Sequence, residues 1–134
     1  MFSDLPPAVE RARARWRCEA FAWGTADCII SVCDYLLDLT GTDPARPWRG
    51  SYSTREGADA ICNSHGGALG LMRHGMTLAG FDLDSPVLGA PVVVDFFGHE
   101  ITGIHLGRGR TMLRLEGRGL VDWPAPVLGA WKCA

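Results

Sequence analysis

"FAWGTADCIISVCDYLL", residues 21–37, passes from an aromatic turn straight into an apolar run, with a cysteine at the junction. Trp23 and Gly24 shape the turn, Thr25 and Asp27 both suit an N-cap, and the run "CIISVCDYLLDLTG" stops at Gly41. A helix over this run is apolar on most sides, which assigns it to the centre of the fold. Cys28 then occupies the first turn, where unsatisfied backbone N–H groups favour a thiolate and can help hold an oxyanion. Its pKa is accordingly expected below the ordinary value of about 8.5. Cys33, rotated by about 140° and mid-helix, is expected in the core.

Upstream, "PPAVERARARWRCEAFA" predicts a helix over 8–20, with Pro7 at the first helical position and Val9, Ala12, Trp16 and Ala20 at helical spacing. The arginines at 11, 13, 15 and 17 read as a solvated face of that helix. Downstream, Ser53 and Glu56 stand in a capping-box relation ahead of a helix over 54–64 that ends at Gly66 and Gly67. "ALGLMRHG" suits a short fourth helix. His65 and His74 fall at the two helix ends, where a cation complements the dipole.

From Pro91 the pattern changes to short β-rich runs: "PVVVDFF", "ITGIHLG", "TMLRLEG", "GLVDW" and "VLGAWKC". Their close spacing leaves no room for helical crossovers. An α+β fold is predicted, with N-terminal helices packed on a C-terminal antiparallel β-sheet, over one domain spanning 1–134.

Composition narrows the function classes. Of the 134 residues, 47% are hydrophobic and 21% charged, and the net charge of −2 gives no electrostatic basis for direct contact with nucleic acid. No run approaches the roughly 20 apolar residues of a membrane span, and "MFSDLPPAVE" lacks the regions of a signal peptide, so cytoplasmic synthesis is expected. Five cysteines at 18, 28, 33, 62 and 133 make no close, even framework, and reduced thiols follow. Cys62, His65 and His74 are the conceivable metal ligands, but no second ligand pair has zinc-like spacing, and neither metal nor cofactor is expected.

Position alone fits a buried, inert Cys28, the common state of an unpaired cysteine. The surrounding pattern points elsewhere. "F-x-W-G-x-x-D-C" opening an apolar helix ahead of an antiparallel sheet resembles the NlpC/P60 superfamily of papain-like cysteine peptidases and amidases. "WGTADC", "LTGTDPARPWRGSYSTREGA" and the ending "GAWKC" are similar to small phage and gene-transfer-agent tail proteins of that superfamily, a tail-associated group of unknown function.

The resemblance implies a papain-like fold, Cys28 as nucleophile, and a histidine from the sheet as its base, steadied by a polar residue on the next strand. It also implies a cysteine amidase or endopeptidase acting on peptidoglycan stem peptides during DNA delivery. Such a protein is made in the host cytoplasm and built into the tail of a phage-like particle, with tail hub and tip proteins as partners. The alternative is a catalytically degenerate domain kept as a structural tail hub or tip component. A host-side cysteine hydrolase or transferase also fits the "WGTADC" core.

The family strand reads approximately "H-V-G-I-Y-L-G", and its counterpart here is "ITGIHLG", which puts Ile101 at the base position. Residues 99, 101, 103 and 105 share one face of a regular strand, and at about 3.3 Å per residue His99 lies about 7 Å from that position and His105 about 13 Å. His99 is therefore the favoured base and His105 the alternative, with a hairpin-turn role for His99 and a half-buried strand role for His105 as the non-catalytic readings. Arg114 and Glu116 occupy the next strand, and only Glu116 can accept an imidazole proton. Trp23 is a candidate substrate contact, though core filling competes for it as for Trp48. Asp27 is a weaker substrate contact, better read as cap or turn residue, and the role of Asp95 stays open.

Overall fold

A computed structural model describes residues 5–133; the first four residues of the N-terminal stretch and Ala134 lie outside the described residues. The elements run α1 (Pro7–Cys18), α2 (Cys28–Thr40), α3 (Arg55–Asn63), α4 (Ala68–Ala79), β1 (Asp82–Leu83), β2 (Pro91–Phe96), β3 (His99–Gly107), β4 (Arg110–Leu115), β5 (Gly119–Trp123) and β6 (Val127–Lys132). The fold is α+β, and the sheet is antiparallel in the order β1-β6-β2-β3-β4-β5. Among the described residues no helix is long and apolar enough to cross a membrane.

Asp27 caps α2, its Oδ1 accepting the Ile30 N–H at 2.8 Å, and Gly41 ends the helix in the left-handed region with its N–H on the Leu37 carbonyl. Ile29, Ile30, Val32, Cys33 and Leu36 are buried, as expected of a central helix. α1 packs Val9, Ala12 and Trp16 against it, while Ala20 lies beyond the helix and is exposed. The arginine face of α1 is more than solvated surface. Arg11 bonds Asp38, Arg15 bonds Asp34, and half-buried Arg13 reaches Asp122 on β5 at 3.1 Å.

Three sequence expectations shift. The cap of α3 is Thr54, which accepts the Gly57 N–H at 3.1 Å, so the S-x-x-E pattern at Ser53 is one residue out of register with the helix. The fourth helix is not short: α4 continues past His74 and Gly75 to a left-handed C-cap at Gly80. Gly75 is a contact and not a stop, since a Cβ there would meet the Pro44 carbonyl and the Trp48 ring. The two-residue strand β1, paired with the far end of β6, has no sequence signal of its own.

Alternation divides the sheet between two cores. Val93, Ile104, Met112 and Trp131 join the helices. Val92, Val94, Leu113, Leu115 and Ala130 pack on the other face with Phe96, Ile101, Val121 and Val127. The β2–β3 connection is the two-residue turn Phe97–Gly98, both at positive φ, which sets Phe96 opposite His99. Arg114, on the helix side of β4 and 1% exposed, bonds the Ser31 hydroxyl, the Glu19 carboxylate and the Glu19 carbonyl. Burial alone would raise Glu19, but Arg114 and Arg15 outweigh it and hold the carboxyl below its ordinary range.

Gly75→Ala tests the α4 contact through its sign. Helix propensity alone would stabilise the variant by about 1 kcal/mol. Overpacking against Pro44 and Trp48 instead predicts a loss of about 1–3 kcal/mol in denaturant unfolding.

Candidate active site

The first turn of α2 is built around one carboxylate. Asp27, 1% exposed, accepts the Ile30 N–H on Oδ1, and on Oδ2 the Gly24 N–H at 2.9 Å and the Tyr52 hydroxyl at 2.5 Å. Gly24 stands at φ 87, and a Cβ there would strike the Tyr52 carbonyl oxygen, so the turn requires glycine twice over. Both oxygens of Asp27 are thus engaged. It borders the cleft as a cap and not as a free acid.

Cys28 follows the cap and keeps partial exposure. The N–H groups of Ile29 and of Thr102 on β3 point to its sulfur and favour the thiolate. Burial acts the other way and is stronger, joined by the charge of Asp27 and by Cys62, so the thiol is pushed up to about 12. The expected lowering is reversed. A helix terminus contributes about 0.3–1 kcal/mol to a nearby charge, whereas desolvation of a buried group shifts its pKa by up to 3–5 units.

Cys28 opens into a cleft of about 610 Å³. One wall is a helical stripe of α3, formed by Arg55, Ala58, Asp59, Cys62 and Asn63. The facing wall is the β2–β3 turn, with Phe96, Gly98, His99, Glu100 and Ile101, and Glu116 and Arg118 close one end beside Trp23 and Phe21. A smaller cavity of about 250 Å³ between α1 and α2 is lined by charged groups already paired with each other, Arg11 with Asp38 and Arg15 with Asp34. The larger cleft is the one with unengaged chemistry.

Cys28, His99, Glu116, Trp23 and Asp27 all border that cleft, and His105 does not. The strand register explains the division. Ile101 packs with the second core, while Ile104 packs with the helices, so 99, 101, 103 and 105 share the face turned from α2. His99 reaches the cleft because it begins β3, at the exposed hairpin end. His105 is 4% exposed, opposite Thr111, and neither its Nδ1 nor the Thr111 hydroxyl has a hydrogen-bond partner in the structure. Burial lowers the His105 pKa from its ordinary value.

Glu116 accepts the Trp23 indole N–H at 2.7 Å, which commits that carboxylate oxygen to the tryptophan and not to an imidazole. Trp23 also stacks edge-on against Phe21. Trp48 belongs to the core, at 2% exposed. Asp95 accepts the Gly98 N–H and steadies the β2–β3 turn. The conceivable metal set does not assemble: Cys62 faces the cleft, His65 caps the Ile61 carbonyl region at the end of α3, and His74 is mid-helix, its ring 4.8 Å from that of His65. Among the described residues no group of three His, Cys, Asp or Glu side chains is placed to hold a metal, and all five cysteines are free.

Tyr52 is a cleft residue that sequence reading passed over, and Cys62, read there only as a conceivable metal ligand, lines the cleft beside it. Tyr52 meets Asp27 across 25 residues of chain, a separation with no periodic signal. Glu100 fell between the strand runs read from sequence, yet its carboxylate accepts the Leu69 N–H at 3.1 Å and so caps α4 from across the cleft.

This α+β arrangement, a cysteine at the start of a central helix above a six-stranded antiparallel sheet, defines the class of protein. The chain belongs to the family described as a domain of unknown function, DUF6950, whose profile matches residues 2–133. Neither a curated protein nor a solved structure matches the chain.

Two measurements follow from this geometry. Site-resolved alkylation near pH 7.5 will label exposed Cys18 first and Cys28 at least about tenfold more slowly, in keeping with a half-buried thiol whose pKa is raised. Because the folded pKa of His105 lies below its unfolded value of about 6.5, stability is complete above that value and falls as the pH drops through it. Melting temperatures at about pH 7.5 and pH 5 will therefore differ less in His105→Leu than in the parent protein.

Proposed function

We propose that this chain is a papain-like domain of the NlpC/P60 type, a cysteine amidase or endopeptidase that opens peptidoglycan stem peptides from the tail of a phage-like particle. The observation that carries the reading is Cys28 in the first turn of the central helix, sharing one cleft with His99 while the Ile29 and Thr102 N–H groups face its sulfur. The "F-x-W-G-x-x-D-C" pattern supports the same assignment. The protein is made in the host cytoplasm and incorporated with tail hub and tip proteins.

In this mechanism Cys28 loses its proton to His99 as the sulfur attacks the amide carbon, since a thiol raised to about 12 is not ionised beforehand. N–H donors at the helix start hold the oxyanion. The imidazolium then gives its proton to the leaving amine, and water activated by the same imidazole hydrolyses the thioester. A second reading, a non-hydrolytic tail component that keeps the fold as a binding surface, is favoured by Ile101 at the family's base position and by the capture of Glu116 by Trp23.

The test is release of new amino groups from purified peptidoglycan by the wild type, Cys28→Ala and His99→Ala. Hydrolysis lost by at least about a hundredfold in both variants, with melting temperatures retained, is the expected result. No hydrolysis by the wild type, together with Cys28→Ala particles that assemble and deliver DNA normally, would establish the structural role instead.

A further inference from the structure

Tyr52 lies in the loop between α2 and α3 and is half-buried at the floor of the cleft. Its hydroxyl donates to Asp27 Oδ2 at 2.5 Å, and its carbonyl oxygen sits where a Cβ on Gly24 would be. On its other side, Gly57 in the first turn of α3 is packed so closely on the Tyr52 Cβ that a side chain there would collide with it. One residue therefore ties the aromatic turn and the helix start that present Cys28 to the helix that forms the opposite wall.

We propose that Tyr52 is a positioning residue for the Cys28 thiol, holding Asp27 in its capping geometry and drawing negative charge away from the sulfur through the hydrogen bond. The inference rests on Cys28 being the reactive group of the cleft. Asp27 serves the helix by capping it, yet its carboxylate faces the thiol and opposes ionisation. A hydroxyl donated to that carboxylate disperses the opposing charge. The charged and titratable side chains that line the cleft with Cys28 are Asp27 on its own turn, Tyr52 in the following loop, Arg55, Asp59 and Cys62 on α3, His99 and Glu100 on β3, and Arg114, Glu116 and Arg118 on β4 and the turn after it. Arg114 is bound to Glu19 and Ser31, Glu116 to Trp23 and Glu100 to Leu69. Of the charges in the cleft Asp27 opposes ionisation of the thiol most, and the Tyr52 hydroxyl is a side-chain donor bound to it.

The experiment is site-resolved alkylation of Cys28, followed by peptide mass spectrometry from about pH 6 to about pH 10, in the wild type, Tyr52→Phe and Asp27→Asn. Tyr52→Phe keeps the ring and removes the donor, so Cys28 is expected to react about threefold more slowly at fixed pH, with its profile displaced upward by about half a unit. Asp27→Asn removes the charge and is expected to move the profile the opposite way. Opposite displacements cannot come from general loosening of the turn, which would accelerate alkylation in both variants. Wild-type behaviour of Tyr52→Phe, or acceleration in both variants, overturns the proposal. The readout is thiol chemistry and requires no hydrolysis, so a failure of the peptidase assignment leaves a different signature: intact, oppositely displaced profiles with no cleavage of peptidoglycan.

Discussion

The buried carboxylate of Asp27 is the constraint on which this end of the molecule depends. A charge taken out of water without partners costs several kcal/mol, whereas loss of a helix cap alone costs about 1 kcal/mol. The chain must therefore bring donors to both oxygens, and it does so from three places: the Ile30 N–H of the helix, the Gly24 N–H of the preceding turn and the Tyr52 hydroxyl of the following loop. Meeting that demand curls residues 22–26 into a closed turn, excludes any side chain at Gly24, and draws the loop before α3 over the start of α2. Arg114 plays the matching part deeper in the interface, satisfying Ser31 and Glu19 from the strand whose Met112 packs with the helices.

These same contacts set the character of Cys28. Its place in the first turn gives it two N–H neighbours, but the packing that secures the cap also removes water from the sulfur and keeps a carboxylate beside it. The terminus effect amounts to about 1 kcal/mol, less than one pKa unit, and desolvation is several times larger. A resting thiol near 12 is the outcome. On the proposed peptidase reading, nucleophilic chemistry at this site would depend on proton removal in the substrate complex, and the position of His99 at the open end of β3 would matter more than the helix dipole.

Much of the fold was legible from local pattern. The aromatic turn and the apolar run gave α2 and its stop at Gly41, because helical periodicity and a glycine stop are written within a few positions of each other, and left the cap open between Thr25 and Asp27. The five longer strands were readable from β-rich runs and turn residues. Where patterns were ambiguous the structure departed from them: Gly75 resembles a stop but is a packing contact, and Ser53 resembles a cap but stands one residue before it. The strand period placed 99, 101, 103 and 105 together, yet a period of two cannot say which face meets the helices. Ile101 in the second core and Ile104 in the first answer that question.

By itself the sequence determined the α+β class, the central helix and the location of Cys28 at its start, because each follows from interactions among residues close in the chain. Only the tertiary structure decided that Tyr52 would bond Asp27, that Glu116 would be taken by Trp23, that His99 and not His105 would border the cleft, and that the thiol would be raised instead of lowered. Each of those outcomes depends on burial or on a partner distant in the chain. Desolvation is a property of the assembled surroundings, and no local pattern carries it.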